Sequence, residues 1–194
     1  MNIFTPQFRK DSILSLFILV FLYLITHNPI VKPTPKLVLG MWSIEKMQHP
    51  LVFGFTGHNF LVLRDENNQI VKELHGLATD SNTNTWKYIG TKYSDLLKVW
   101  EFDGPRNPAL EKTYPGIVLA QGTEADMENL WSKAENCKEE INKKTINYPP
   151  YGFALNGQTE NSNSVSSTLS FCMGINDKHI GLITPGERKN LLSK

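Results

Sequence analysis

The order of hydrophobic periods along the chain constrains its fold more than any other feature. Between residues 51 and 120, apolar residues alternate over short runs, which is typical of strands. From 123 to 143 they recur every three or four residues, which is typical of a helix. Strands followed by helices predict an α+β domain in which an antiparallel sheet packs against helices.

The first two strands are predicted to form a β-hairpin. Residues 51–64 carry an alternating strand pattern, 65–69 form a polar turn, and 70–76 form the second strand. Further strands are predicted at 96–102 and 116–120.

Two helices are predicted to follow the strands. Thr123 begins the first, with Asp126 three residues on as in a capping box. The second is predicted from about residue 163 to 173, with Gly174 ending it. The segment 147–161 between them is rich in Pro, Gly and Asn and predicts a loop.

The N-terminal residues 1–31 are predicted to be a separate membrane segment. Arg9 and Lys10 precede an apolar run from Ile13 to Ile25, and no small-residue cleavage site follows it. We expect a retained signal anchor that binds the membrane; a cleaved signal peptide, giving a secreted protein, is the alternative. The basic residues before the run predict a single-pass inner-membrane protein whose remainder faces the periplasm or exterior. Residues 32–48 would then be a linker, and 49–194 the α+β domain.

Charge and cysteine usage exclude several functions. The net charge is +1, which gives no electrostatic case for nucleic acid as a partner. Cys137 and Cys172 lie on the apolar faces of the two predicted helices, where they form either a disulfide or two buried thiols. Neither has a His or second Cys at metal-ligand spacing, so the sequence predicts no metal site and no cofactor.

Two histidines are the strongest candidates for acid–base chemistry. His58 lies at the start of the first strand of the hairpin, and His75 lies at the end of the second. A turn centred near Asn67 places the two imidazoles nearly opposite each other on one face of the sheet.

The stretch Asn161-Ser162-Asn163-Ser164 begins the second helix. One such residue is enough to cap a helix, and this stretch contains four. A hydroxyl in the first turn also lies beside free backbone N–H groups, which can bind an oxyanion. Such a hydroxyl lacks only a base, and His58 could supply it with His75 orienting the ring.

These motifs resemble the circularly permuted branch of the NlpC/P60 papain-like hydrolases, the branch that includes lecithin:retinol acyltransferase. In that branch the histidine strand precedes the nucleophile helix, which begins with Asn-Cys. Over residues 50–175 the resemblance implies Ser162 in the nucleophile position, His58 as base and His75 as the third, orienting residue.

Because Ser162 occupies the position at which this branch has a cysteine, three alternatives are open: Ser162 is the nucleophile, Ser164 is the nucleophile, or the protein is inactive. Because a hydroxyl ionises less readily than a thiol, Ser162 needs His58 to remove its proton during attack. Ser164 is the fallback nucleophile, and an inactive relative that retains the groove for binding is the third alternative.

Other side chains are assigned supporting roles. Asn161 and Asn163 are candidates for capping and for the oxyanion site, and Tyr148 and Tyr151 for lining a groove. Asp80, in the loop after the second strand, is a weaker candidate for orienting His75.

The sequence thus predicts a membrane-anchored, envelope-facing hydrolase or acyltransferase. Its substrate would be an amide or ester bond in a peptidoglycan peptide or a lipid. The alternatives are an inactive papain-like binding module at the envelope and a secreted toxin or effector with the same site.

Overall fold

A computed structural model describes most of the compact unit that spans residues 32–194. The described residues are 38, 40–51, 56–87, 89–108, 113–150, 160–181 and 184–193. They form an α+β fold, as predicted, in which an antiparallel sheet packs against two helices. The strands are β1 (Trp42–Leu51), β2 (Thr56–Arg64), β3 (Ile70–Thr79), β4 (Trp86–Lys87), β5 (Leu96–Asp103) and β6 (Gly116–Gly122). The helices are α1 (Glu124–Lys143) and α2 (Ser162–Cys172).

The predicted hairpin and helices are confirmed. Strands β2 and β3 pair antiparallel, but the register differs from the predicted one: Phe60, rather than His58, lies opposite His75, because the ladder shifts at a bulge between Leu63 and Arg64. Thr123 caps α1, since its hydroxyl accepts a hydrogen bond of 3.2 Å from the amide of Asp126. Gly174 follows α2 with a φ of 73°, the left-handed conformation that glycine adopts most easily.

Strand β1 lies largely within the range 32–48, which the sequence predicts as linker. It pairs with β2 on one side and β6 on the other, so it is an interior strand of the sheet. Its alternation is hard to detect because two charged residues are buried in it. Glu45 pairs with Arg64 at 3.0 Å, and Lys46 is fully buried against carboxylates from the C-terminal segment.

The two faces of the sheet have different coverings. We call the side against which α1 and α2 pack the helix face; it carries the main core, including Leu61, Leu74 and Leu97. Because strand side chains alternate, Phe60, Glu73 and His75 project from the opposite side, which we call the histidine face.

The sheet divides next to the histidines. Ala78 and Thr79 of β3 each pair with both β4 and β5, so β4 and β5 lie on opposite flanks of that strand. The flank bearing β4 is the same one that β2 occupies from Ile70 to His75. Strands β2 and β3 therefore separate beyond the pair Phe60–His75, and we call the space between residues 56–59 and residues 76–77, before β4 begins to pair with β3, the strand gap.

A disulfide between Cys137 and Cys172 joins α1 to α2. The structure thus selects the disulfide from the two states that the sequence left open. Among the described residues, no helix is both long and apolar enough to cross a membrane. The predicted anchor, residues 1–31, lies outside the described residues.

Candidate functional site

The structure brings the two candidate histidines together beside the strand gap. Nε2 of His58 lies 3.1 Å from Nδ1 of His75, and the rings are nearly parallel. Both side chains are buried, with 7% of His58 and 1% of His75 exposed. Phe60 stacks on His75 at 4.3 Å between ring centroids and holds that ring in place.

Glu73 continues this chain of hydrogen bonds, and the sequence analysis missed it. It lies two residues before His75 on β3, so both side chains project from the same face. Its Oε2 lies 2.9 Å from Nε2 of His75. A Glu at this i−2 position is the only signal that could have indicated it. Asp80, the weaker sequence candidate for this role, instead pairs with Lys87 at 2.9 Å.

Both histidines are held neutral at neutral pH. Burial is the main reason that the pKa of each lies well below its usual value. The positive guanidinium of Arg106 and the neighbouring His49 lower both further, and His75 also lowers the pKa of His58. Arg106 is held over the rings of Trp86 and Phe102, 5.4 Å from each ring centroid.

The N-terminus of α2 is anchored at the strand gap from the helix face. The amide of Asn59, next to His58, donates a hydrogen bond of 2.8 Å to Oδ1 of Asn163. Ser162 packs against Gly76, next to His75; a Cβ at Gly76 would lie 2.9 Å from the Cα of Ser162. The predicted nucleophile helix therefore begins in contact with Asn59 and Gly76, the residues that follow the two histidines in the chain.

The hydroxyl of Ser162 is engaged with Tyr148 rather than with His58. Burial raises the pKa of the Tyr148 phenol, and a hydrogen bond with the Ser162 side chain opposes that rise. Within the described residues, His58 has no hydrogen bond to Ser162 or Ser164. The two histidine side chains project from the face of the sheet opposite the one that α2 covers.

The remaining residues of the Asn-Ser stretch have structural partners. Asn161 caps α2 in a capping box with Ser164, the fallback nucleophile. The side-chain amides of Asn161 and Asn163 donate to the carbonyl of Pro185 at 2.8 and 3.1 Å. The hydroxyl of Ser164 donates to the carbonyl of Gly186 at 3.0 Å.

These contacts hold the C-terminal strap, our name for residues 184–191. Hydroxyls further along α2 continue the pattern, because Ser167 accepts from the amide of Arg188 and Thr168 from that of Leu191, each at 2.9 Å. The buried polar side chains of α2 thus satisfy the backbone of an irregular segment.

The other site candidates divide between described and masked parts of the chain. Tyr148 is buried, with 5% of it exposed, and packs in the main core rather than lining an open groove. Tyr151 lies outside the described residues. No cluster of three or more His, Cys, Asp or Glu side chains suited to a metal ion occurs in the part of the chain that the structure describes.

Comparisons with known proteins add no relative to this description. No protein-family model, no curated protein and no solved structure matches the chain.

Proposed function

We propose that the protein is a hydrolase or acyltransferase that cleaves an amide or ester bond. In this proposal Ser162 is the nucleophile, His58 its base and His75 the residue that orients His58, as in the permuted papain-like branch that the motifs resemble. The observation that carries the proposal is the 3.1 Å hydrogen bond between His58 and His75 beside the start of α2.

The division of the sheet supports a reaction at this point. At the strand gap, β2 and β3 are not joined by backbone hydrogen bonds, so no paired strands separate the N-terminus of α2 from the histidine face there. Catalytic hydrogen bonds are often long or misaligned without substrate and tighten when it binds, so the contact with Tyr148 is compatible with this role.

The proposed reaction has two steps. Oγ of Ser162 adds to the substrate carbonyl while His58 takes the hydroxyl proton, and the amide N–H of Ser162 stabilises the oxyanion. His58 then gives the proton to the departing amine or alcohol, which leaves an acyl-serine. Water or an acceptor alcohol attacks that ester with His58 again as base, and the serine is restored.

The proposed location is the cell envelope. The N-terminal apolar run would anchor the chain in the inner membrane, with the domain in the periplasm or exterior. The disulfide between Cys137 and Cys172 supports an oxidising compartment, since cytosolic thiols are kept reduced. In that location the proposed substrates are peptidoglycan peptides or lipid esters.

A binding module without catalysis is the second candidate function. The observation that favours it is the engagement of Ser162 with Tyr148 while Ser164 is used in the cap and the strap. In such a protein the histidines would form part of a ligand-binding surface.

A serine-reactive fluorophosphonate probe separates these two functions. We expect the wild-type chain to be labelled, with labelling lost in Ser162→Ala and His58→Ala and retained in Ser164→Ala. Ser166→Ala is the matched control, because Ser166 is a buried serine of the same helix whose hydroxyl donates to the carbonyl of Asn163. A folded wild type that takes up no probe, or labelling that survives Ser162→Ala, would refute the nucleophile assignment.

A further inference from the structure

We infer that Glu73 is a positioning residue that fixes the tautomer of His58 through His75. The inference rests on the proposed function for its catalytic meaning, since it assigns the nitrogen of His58 that acts as base. It predicts the direction of two hydrogen bonds, from His75 to Glu73 and from His58 to His75, and both directions can be measured without any substrate.

The carboxylate of Glu73 is placed to accept hydrogen bonds. Its side chain is fully buried, and its Oε2 lies 2.9 Å from Nε2 of His75. The backbone amide of Arg106 donates to the same oxygen at 3.3 Å. An ionised carboxylate offers only acceptors, so an ionised Glu73 takes the contact with His75 as a hydrogen bond donated by Nε2–H of that ring.

The direction of the chain follows from this end. A neutral imidazole carries one N–H, so a proton on Nε2 of His75 leaves Nδ1 of that ring with a lone pair. That lone pair can only accept from Nε2–H of His58 across the 3.1 Å contact. His58 is then left with a lone pair on Nδ1, the nitrogen free to take a proton from a nucleophile.

The charge of Glu73 decides between two arrangements of the same atoms. A carboxylic acid at this position could donate to Nε2 of His75 and would reverse both hydrogen bonds, leaving Nδ1 of His58 protonated and unable to act as base. Arg106 favours the ionised form, because its backbone amide donates a hydrogen bond to Oε2 of Glu73, and such a bond stabilises the charged carboxylate. His49 also faces this cluster, pairing with His58 across β1 and β2, and its pKa is lowered by burial and then by Arg106.

Long-range proton–nitrogen NMR on the full chain with nitrogen-15-labelled histidine tests this inference at neutral pH. We expect His58 and His75 both to be Nε2–H tautomers, identified by single-residue histidine substitutions. In Glu73→Gln we expect His58 to lose this pure tautomer and to shift towards Nδ1–H. Glu101→Gln is the matched control, since Glu101 projects from the helix face of the neighbouring strand and pairs with Lys138.

Activity gives an independent second readout. In serine proteases, loss of the carboxylate that holds the histidine tautomer lowers kcat by about 10⁴-fold, and we expect Glu73→Gln to lower kcat on a model ester by about 10²–10⁴-fold with little change in KM. Nδ1–H on His58 in the wild type would overturn the inference, even if Glu73→Gln failed to fold. An unchanged tautomer in a folded Glu73→Gln variant would also overturn it. The expected tautomers in a wild type without hydrolytic activity would instead remove the proposed function and leave this inference standing.

Discussion

His58 and His75 share a hydrogen bond of 3.1 Å in a site from which water is almost wholly excluded. Because burial is the first cause of the low pKa of each ring, the folded protein keeps both histidines neutral. In the unfolded chain the histidine pKa values are near 6.5, so below about that pH the unfolded chain binds protons that the folded chain does not bind.

Acid should therefore destabilise the protein well before its carboxylates titrate. Below about pH 6.5 the unfolded state binds more protons, so the free energy of unfolding falls as the pH falls. Each histidine contributes a slope on the order of 1 kcal/mol per pH unit until the pH reaches its folded pKa. Urea unfolding at intervals between pH 5 and 8 measures this slope.

A double variant isolates the histidine contribution to that slope. His58→Gln with His75→Gln should flatten the decline between pH 5 and 6.5, whereas His49→Gln should leave most of it, since His49 is only half buried. A wild-type unfolding free energy that stays constant from pH 8 to 5 would contradict the neutral buried pair.

Gly76 should be sensitive to the addition of one methyl group. A Cβ there would lie 2.7 Å from the side chain of Val165 and 2.9 Å from the backbone of Ser162, so Gly76→Ala must displace the start of α2. We expect Gly76→Ala to lower the unfolding free energy by about 1–3 kcal/mol. If the protein is a hydrolase, kcat should fall by a larger factor than the fraction of folded protein. Chemical denaturation and probe labelling of the same sample measure both.

Gly116→Ala is the matched control for this substitution. Gly116 is also a buried strand glycine, but its added Cβ would meet its nearest neighbour, Met47, at 3.4 Å, an ordinary contact. We expect a change of less than about 1 kcal/mol. Equal losses for the two variants would show that close packing at Gly76 is not the cause.

The pairing of the two histidines could be predicted from the sequence because it depends on local rules. A period of two places His58 and His75 on the same face of the hairpin, although the bulge between Leu63 and Arg64 puts Phe60 rather than His58 opposite His75. The same reasoning located α1, whose apolar residues recur at helical spacing from Met127 to Ile141.

The polar half of the structure could not be predicted in this way. Lys46 interrupts the apolar alternation that would have predicted strand β1, because it is a charged residue at a core position. Its partners Asp177 and Glu187 lie more than a hundred residues later in the chain. The hydroxyls of α2 have no apolar period to indicate that they bind the C-terminal strap. Glu73 resembles any solvated strand residue until the fold places it against His75.

Reduction of the disulfide, which joins α1 to α2 rather than two strands, should destabilise the domain. Cys137 and Cys172 are 35 residues apart, a loop whose closure in the unfolded chain corresponds to about 3–4 kcal/mol. We expect Cys137→Ala with Cys172→Ala to lower the unfolding free energy by about this amount, and dithiothreitol to have no effect on the double variant. A wild type whose denaturation midpoint is insensitive to dithiothreitol, while mass spectrometry shows the bond reduced, would contradict this expectation.

Lys46 should be essential to the attachment of the C-terminal strap. Its ammonium group is fully buried and donates to Asp177 at 2.9 Å, to the carbonyl of Lys178 at 2.6 Å and to Glu187. Burial alone would raise the pKa of Glu187, but its hydrogen bond with Lys46 holds that pKa below the usual value.

Lys46→Met would leave two carboxylates buried without their cation. We expect this variant to lose about 3–5 kcal/mol of unfolding free energy, because an uncompensated buried charge costs more than a surface ion pair gains. Lys72→Met is the control: Lys72 pairs with Glu135 where both are about a third exposed, so its loss should cost at most about 1 kcal/mol. Hydrogen exchange at the amides of Arg188 and Leu191 should accelerate in Lys46→Met and stay unchanged in Lys72→Met. If those two amides keep their protection in a folded Lys46→Met variant, the hydroxyls of α2 suffice to hold the strap and Lys46 does not anchor it.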